Sequence, residues 1–443
     1  MSDIRFNRWL HQSGTGGVYQ DGSGRVGIGS STPTEALDIV GVASATSFFG
    51  PLTGNVTGDV TSSGTSTFDV ISGVSTIGVT TVHLTGINNL SYPTAGPLSN
   101  RNLIVNGSMM VSQRSTSLTG QTGGGYKCLD RFRIGKVNLG TWTFTQSGDA
   151  PVGFSSSFKC ECTTAAASPA AGDLFNIQHR MEGRELQVLK KGTSSAENFT
   201  VSFWVKSNKT GTYNLQAEDL DNTRSNVRQY SIESADTWEH KKLTFDGDTT
   251  GSLDKDVEHS FRLIWWLGSG TNYSSGTTPS TWEAATATNH AVGNVNLADS
   301  NSNEFYITGI QMETGSVATP FEHRSYGDEL ARCQRYYYKL IADSGRTFAN
   351  GYNQNTRYTR NILHFPVSMR IPPTALEQTG TAANYRIYHG TTENACSGVP
   401  TLNSSTTNTA EIQADTGSGL TAGQGNALES NSNGTYLAFT AEL

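Results

Sequence analysis

Charge is scarce in this sequence, and positive charge is never clustered. Asp, Glu, Lys and Arg make up 16% of the 443 residues, and the net charge is −7. A surface that neutralises nucleic-acid phosphates needs grouped Lys and Arg. Nucleic acid is therefore excluded as a partner. Long apolar runs are missing too. No stretch approaches the roughly 20 apolar residues that a membrane-spanning helix needs, which argues against membrane insertion. The opening Met1-Ser2-Asp3-Ile4-Arg5-Phe6 lacks the apolar core of a signal peptide, so synthesis in a cytosol is expected. Cysteine is sparse and odd in number. Cys128, Cys160, Cys162, Cys333 and Cys396 match no zinc spacing. Cys160 and Cys162, two apart on a strand, point to one face and do not readily bridge. Reduced thiols are expected, with no metal and no other cofactor.

Catalytic constellations are equally thin. Asp219 with Asp221, and Asp254, Asp256 with Glu258, could serve as paired carboxylates for glycoside hydrolysis or as oxygen ligands for Ca²⁺. Both sets fall in predicted turns, where Asp is common for local hydrogen bonding, and neither has EF-hand spacing. The Gly-rich run Gly22-Ser23-Gly24-Arg25-Val26-Gly27-Ile28-Gly29 is followed by no Lys-Ser/Thr pair, and Pro33 breaks it. It reads as a hairpin turn leading into a strand, not as a phosphate loop. The histidines form no His-Glu-x-x-His motif, and no nucleophile elbow is recognisable. No enzymatic activity is expected.

What is abundant is Gly, Ser, Thr and Val in strand-like alternation. Residues 1–39 form a turn-rich head with some apolar mass, from Phe6, Trp9, Leu10, Val18 and Tyr19. Residues 40–99 carry two acidic residues, Asp59 and Asp69, and no Lys, Arg or Glu. Short Val, Ile and Phe runs recur there, as in Leu37-Asp38-Ile39-Val40-Gly41 and Phe68-Asp69-Val70-Ile71-Ser72-Gly73. A chain with so narrow an apolar stripe buries it only against copies of itself. A thin shaft of three chains is the reading this favours. A flexible linker is the alternative for such a composition.

From residue 100 to 324 many strands recur at short spacing, which points to a β-sandwich of jelly-roll type. In Phe199-Thr200-Val201-Ser202-Phe203-Trp204-Val205 the odd positions are apolar. In Phe261–Leu267 they are apolar again, while Ile264 and Trp266 make the other face apolar as well. Trp204, Trp265 and Trp266 read as core residues. Ser325, Asp328 and the spacing of Leu330, Cys333 and Tyr337 predict one short helix over about 327–340, within a linker at 325–344. Residues 345–443 are again strand-like, and the alternation of Tyr436–Leu443 places a last strand inside a sheet.

Aromatic residues outside predicted core positions are the candidate ligand contacts. Tyr273 and Trp282 stand in a long polar loop from Gly268 to Ala298. In the distal part, Tyr352, Tyr358, Tyr385 and Tyr388 lie among Arg357, Asn353, Asn355, Arg360 and Arg386. Rigid aromatics mixed with adaptable polar groups suit a recognition surface and equally suit a trimer interface.

Three passages resemble phage tail fibres. Val26-Gly27-Ile28-Gly29 with Pro33 and Leu37-Asp38-Ile39, followed by Ala45-Thr46-Ser47-Phe48 and Leu52-Thr53-Gly54-Asn55-Val56-Thr57-Gly58, is similar to fibre shafts, including those of marine cyanobacterial phages. Asn102-Leu103-Ile104-Val105-Asn106-Gly107 with Gln113-Arg114, Tyr126 and Asp130-Arg131-Phe132 resembles the opening of a carbohydrate-binding-module-like domain in such fibres. Ile310–Glu322 running into Tyr326–Tyr337 resembles its close and the helix after it. The resemblance implies an elongated, mostly β homotrimer in the virion. Its N-terminal head would be fixed to other tail proteins, and its distal domains would bind the host surface; attachment to a surface glycan without catalysis is the reading this favours. A polysaccharide-cleaving tailspike and a passive tail connector are the alternatives. The last hundred residues, 345–443, are read as the receptor-binding tip from their position.

Overall fold

The computed structural model describes residues 8–9, 17–40 and 99–443, together with the backbone of 86–87 and 90–91. It falls into two units, Met1–Thr80 and Thr81–Leu443. The predicted shaft, 40–99, lies almost wholly outside the described residues. The structure is mostly β, as the alternation implied.

In the first unit four short strands, Arg8–Trp9, Val18–Gln20, Val26–Ile28 and Leu37–Ile39, form one sheet in that order. The expected hairpin is present. Asp21 closes its turn by accepting from the backbone N–H of Ser23 and Arg25, both at 2.9 Å, and Gly24 takes the left-handed φ of 83° that the turn needs.

The second unit opens on a sandwich of two antiparallel sheets. One has six strands in the order Glu239–Phe245, Phe199–Ser207, Glu304–Thr314, Ser157–Thr164, Thr141–Ser147 and Ser117–Gln121. The other has seven, with Gly211–Asp219, His259–Ser269 and Leu174–Glu182 at its centre. Phe199, Val201, Phe203 and Val205 enter the core between the sheets, as do Phe261, Leu263, Trp265 and Leu267. Ile264 and Trp266 pack on the opposite face with Ala291. Trp204 departs from the core reading. It stands at an even, outward position, half-buried, with its ring stacked 4.8 Å from that of His240. All five cysteines are buried and unpaired.

The predicted helix exists but is shorter, Tyr326–Gln334. Ser325 caps it by accepting from the Asp328 N–H at 3.2 Å. It ends there because Tyr337–Ala342 is claimed by a strand partner, pairing residue for residue with Thr435–Thr440. Residues 325–344 are thus a helix packed on the sandwich, where Cys333 meets Val105 and Val111, and the first strand of the distal fold.

That distal fold is a second sandwich. A three-stranded sheet, with Thr435–Thr440 in the middle, packs against seven strands. Their order is Thr392–Ala395, Tyr385–His389, Gly425–Ser430, Thr347–Asn353, Thr359–His364, Thr409–Asp415 and Gly398–Ser405. Phe348, Leu363, Ile387, Ile412, Leu428, Leu437 and Phe439 fill the space between the sheets. The expectation that the last strand tucks into a sheet is met.

Buried polar groups fasten this part to the first sandwich. Arg131 and Arg114 both reach Glu442. Arg370 donates to the carbonyls of Ala441, Glu442 and Val257 at 2.7 to 2.9 Å. Beside this junction Asp130, fully buried, accepts from the N–H and side-chain amide of Gln113. Burial pushes its carboxyl up to about 6, against the favourable pull of Arg114. The folded pKa therefore lies above the unfolded one, near 3.9. Stability from the protonated form is complete below about pH 4 and lost as pH rises through 6. Relative to Asp130→Asn, the wild type should lose about 2 kcal/mol between pH 4 and pH 7, most of the worth of a two-unit shift. Urea titrations at a series of pH values check this; parallel profiles for the two proteins would contradict it.

Candidate functional site

One face of the seven-stranded distal sheet covers the core, and the other is open. Side chains alternate across a strand, so in Thr347–Asn353 the residues Asn350 and Tyr352 point outward while Asn353 is fully buried. In Tyr385–His389, Arg386 and Tyr388 point outward while Tyr385 and Ile387 are fully buried. In Gly425–Ser430, the strand between these two, the outward positions are Gly425, Ala427 and Glu429.

The register brings these positions together. Tyr352 lies directly opposite Gly425, and Tyr388 opposite Ala427. Two tyrosines, 52% and 40% exposed, therefore flank a middle strand that presents no bulk of its own. Strand spacing and rise put their Cα atoms about 12 Å apart on the diagonal. A Cβ added to Gly425 would have its nearest neighbour at 3.9 Å, the carbonyl oxygen of Gly351. The glycine is not demanded by packing, and the space above it is free. The result is a shallow trough with aromatic sides.

Polar groups edge the trough. Asn350 pairs with Ala427 on one side and with Ile362, itself 42% exposed, on the other. The exposed Asn350 amide makes no hydrogen bond to any described residue. At one end Arg386 holds Glu429 at 2.9 Å and Glu393 at 2.7 Å. At the other Arg360 pairs with Glu411 and donates to Gln354 Oε1 at 3.1 Å. Beneath the Tyr352 end lies a buried amide ladder. Asn426 donates to Asn353 at 2.7 Å, Asn361 donates to Asn426, and Thr359 donates to Asn361 at 2.6 Å. A fully satisfied buried network of this kind fixes the strands that carry the open face.

Only part of the sequence-predicted set meets here. Tyr352 and Tyr388 do. Tyr385 is three residues from Tyr388 and so faces the core. It is 0% exposed, and its hydroxyl donates to the Tyr436 carbonyl at 2.6 Å, which removes it from any ligand surface. Arg357 and Tyr358 stand at the sheet's end. There Arg357 makes two hydrogen bonds to Asp415, at 2.8 and 2.7 Å, and its guanidinium lies 4.8 Å from the Tyr358 ring centroid. The Arg357 pair is the first cause that holds the Asp415 carboxyl down at about 2.

In the first sandwich, Trp282 packs near Phe199 and Phe261 and donates its indole N–H to the Asp246 carbonyl at 2.7 Å. Tyr273 rests on Trp266, ring centroids 5.3 Å apart. Both aromatics anchor their long loop to the sandwich, and they sit in different clusters. Gly425, Ala427, Asn350 and Ile362 were not singled out by sequence. The signal available was the run Gly425-Asn426-Ala427-Leu428-Glu429, small at alternate positions.

The acidic groups weighed for catalysis or Ca²⁺ are engaged locally. Asp219 is fully buried and held by Lys191 and by the Asn222 N–H at 3.0 Å. Asp221 accepts from the Asp254 N–H at 2.8 Å, and Asp256 from the Glu258 N–H at 2.9 Å. Among the described residues no group of three or more His, Cys, Asp or Glu is placed to hold a metal ion.

No family model matches the chain, and no curated protein does. Among solved structures, the enzymatically active domain of tailspike protein 4 from bacteriophage CBA120 is similar at 14% identity and a TM-score of 0.26. That match covers 48% of this chain and 21% of the tailspike chain, so it spans about a fifth of the latter. A family 11 carbohydrate-binding module from Clostridium thermocellum, in complex with a β-1,3-1,4-mixed-linked tetrasaccharide, is similar at 8% identity and a TM-score of 0.24, covering 45% of this chain and 100% of the module. A sugar-binding protein of Bacteroides thetaiotaomicron, described as putative, is similar at 9% identity and a TM-score of 0.28, covering 48% and 100%.

Proposed function

We propose that this chain is an attachment protein that binds surface glycan, without catalysis, through the open face of its distal sheet. The observation that carries the reading is the pair of exposed tyrosines set across Gly425 and Ala427. Aromatic rings held on rigid strands offer flat apolar faces to sugar rings. The free Asn350 amide and the tyrosine hydroxyls offer partners to sugar hydroxyls. A shallow trough suits a polymer laid along a surface, and the carboxylates at its edge, Glu393, Glu411 and Glu429, are paired with Arg386 or Arg360, whereas hydrolysis asks for an acid and a base set free across the bond to be cut.

The wider setting rests on the sequence resemblance. In that setting the chain is a tail fibre of a phage, homotrimeric through residues 40–99, docked on the tail by residues 1–39. Three tips per fibre and several fibres per particle make modest single-site affinity sufficient.

Binding of the fluorescently labelled full chain to intact host cells tests the reading. Alanine at both Tyr352 and Tyr388 should reduce binding at least tenfold with no change in melting temperature. Undiminished binding by that double variant would remove the face from consideration. Release of new reducing ends from purified host polysaccharide would replace attachment with cleavage.

A further inference from the structure

The charge on and around the trough narrows its ligand. Residues 345–443 contain no lysine and five arginines, Arg346, Arg357, Arg360, Arg370 and Arg386. Four of the five are committed within the protein. Arg357 pairs with Asp415, Arg360 with Glu411, Arg370 with Glu258, and Arg386 with Glu393 and Glu429. Arg346, exposed and with no side-chain partner among the described residues, sits in the turn before the strand Thr347–Asn353, next to Thr347, which pairs with Glu429. The charged groups edging the trough are therefore two guanidiniums and three carboxylates, Arg360 and Arg386 against Glu411, Glu429 and Glu393, with every guanidinium already hydrogen-bonded.

We infer that the ligand is a neutral oligosaccharide, lying diagonally over the strand Gly425–Ser430 with one sugar ring against Tyr352 and a second against Tyr388. The inference rests on the glycan reading of this face. A uronate or sulfate group lying over Gly425 and Ala427 would meet no free cation, since Arg346 lies past the Glu429 end of the trough, and it would sit beside carboxylates. Hydroxyl groups meet the Asn350 amide and the two phenols. The diagonal of about 12 Å between the tyrosines exceeds a single pyranose ring, so both contacts need a chain of linked sugars.

The test is calorimetric titration of the full chain with neutral gluco-, galacto- and manno-oligosaccharides of two to six residues, and with oligouronates and sulfated oligosaccharides of the same lengths. Each titration is run at 50 mM and 500 mM NaCl. The expected result is binding of a neutral series that strengthens with length. Affinity should change less than twofold between the two salt concentrations, and Tyr352→Ala or Tyr388→Ala alone should weaken it about tenfold. Tighter binding of an acidic series, lost in high salt yet still dependent on both tyrosines, would overturn neutrality and leave the glycan site standing. Binding unaffected by either alanine, or no binding by any series, would overturn both.

Discussion

Alanine at Glu442 is expected to destabilise the unit Thr81–Leu443 by about 3–5 kcal/mol, the usual cost of removing one partner from a buried ion pair. Arg131 is 1% exposed and its side chain has few alternatives. Its guanidinium lies 3.4 Å from the Tyr336 ring centroid, donates to the Arg180 carbonyl at 2.6 Å, and reaches Glu442 with its remaining arm. The backbone of Arg131 is held in the left-handed region, at φ 70°, a conformation that persists only where the surroundings over-determine it. Without Glu442 a buried cation is left uncompensated. Glu442→Gln keeps shape and hydrogen-bonding capacity while removing charge, so it should fall between wild type and Glu442→Ala. Guanidinium unfolding at neutral pH measures both. Values within 1 kcal/mol of wild type for Glu442→Ala would show that the junction contributes little.

Filling the trough is expected to abolish binding and leave the fold intact. Gly425→Leu places a branched side chain between the tyrosines in space where the nearest neighbour of a Cβ stands at 3.9 Å. Cell binding should fall at least tenfold with melting unchanged. Gly351, one strand away, is the informative contrast. A Cβ there would approach the Arg360 carbonyl oxygen to 1.8 Å, so Gly351→Ala must move backbone. That variant should lower the melting temperature and give little soluble protein. If Gly425→Leu binds normally, sugar rings do not lie over this strand.

Much of the strand content was legible because burial on one face writes a period of two into the sequence. Phe199–Val205, Phe261–Leu267 and the final strand are of this kind. The helix was legible at its start, where Ser325 caps, and misjudged at its end. Tyr337 fits a helical spacing after Leu330 and Cys333, yet its partner Thr440 lies 103 residues away, and no local pattern announces that pairing. The same parity that revealed strands could have separated Tyr385 from Tyr388, since residues three apart on a strand face opposite ways. The trough was not legible. It exists because Gly425 and Ala427 fall between Tyr352 and Tyr388, and that register is set by a sheet order joining distant segments. Trp282 and Tyr273 misled for a related reason: a long loop looks free until the aromatics that tie it down are placed.

The chain enters the distal sandwich on Tyr337–Ala342 and finishes it on Thr435–Thr440, and these two strands are hydrogen-bonded neighbours. Its two ends thus lie about one strand spacing apart, near 4.8 Å. A module with adjacent ends can be exchanged as a cassette, since its replacement need only span the same short gap. Here the exchange carries chemical conditions at the junction. A replacement that runs on through residue 443 must bring an acidic side chain back to Arg131 and Arg114, as Glu442 does, and a donor to the Val257 carbonyl, as Arg370 does.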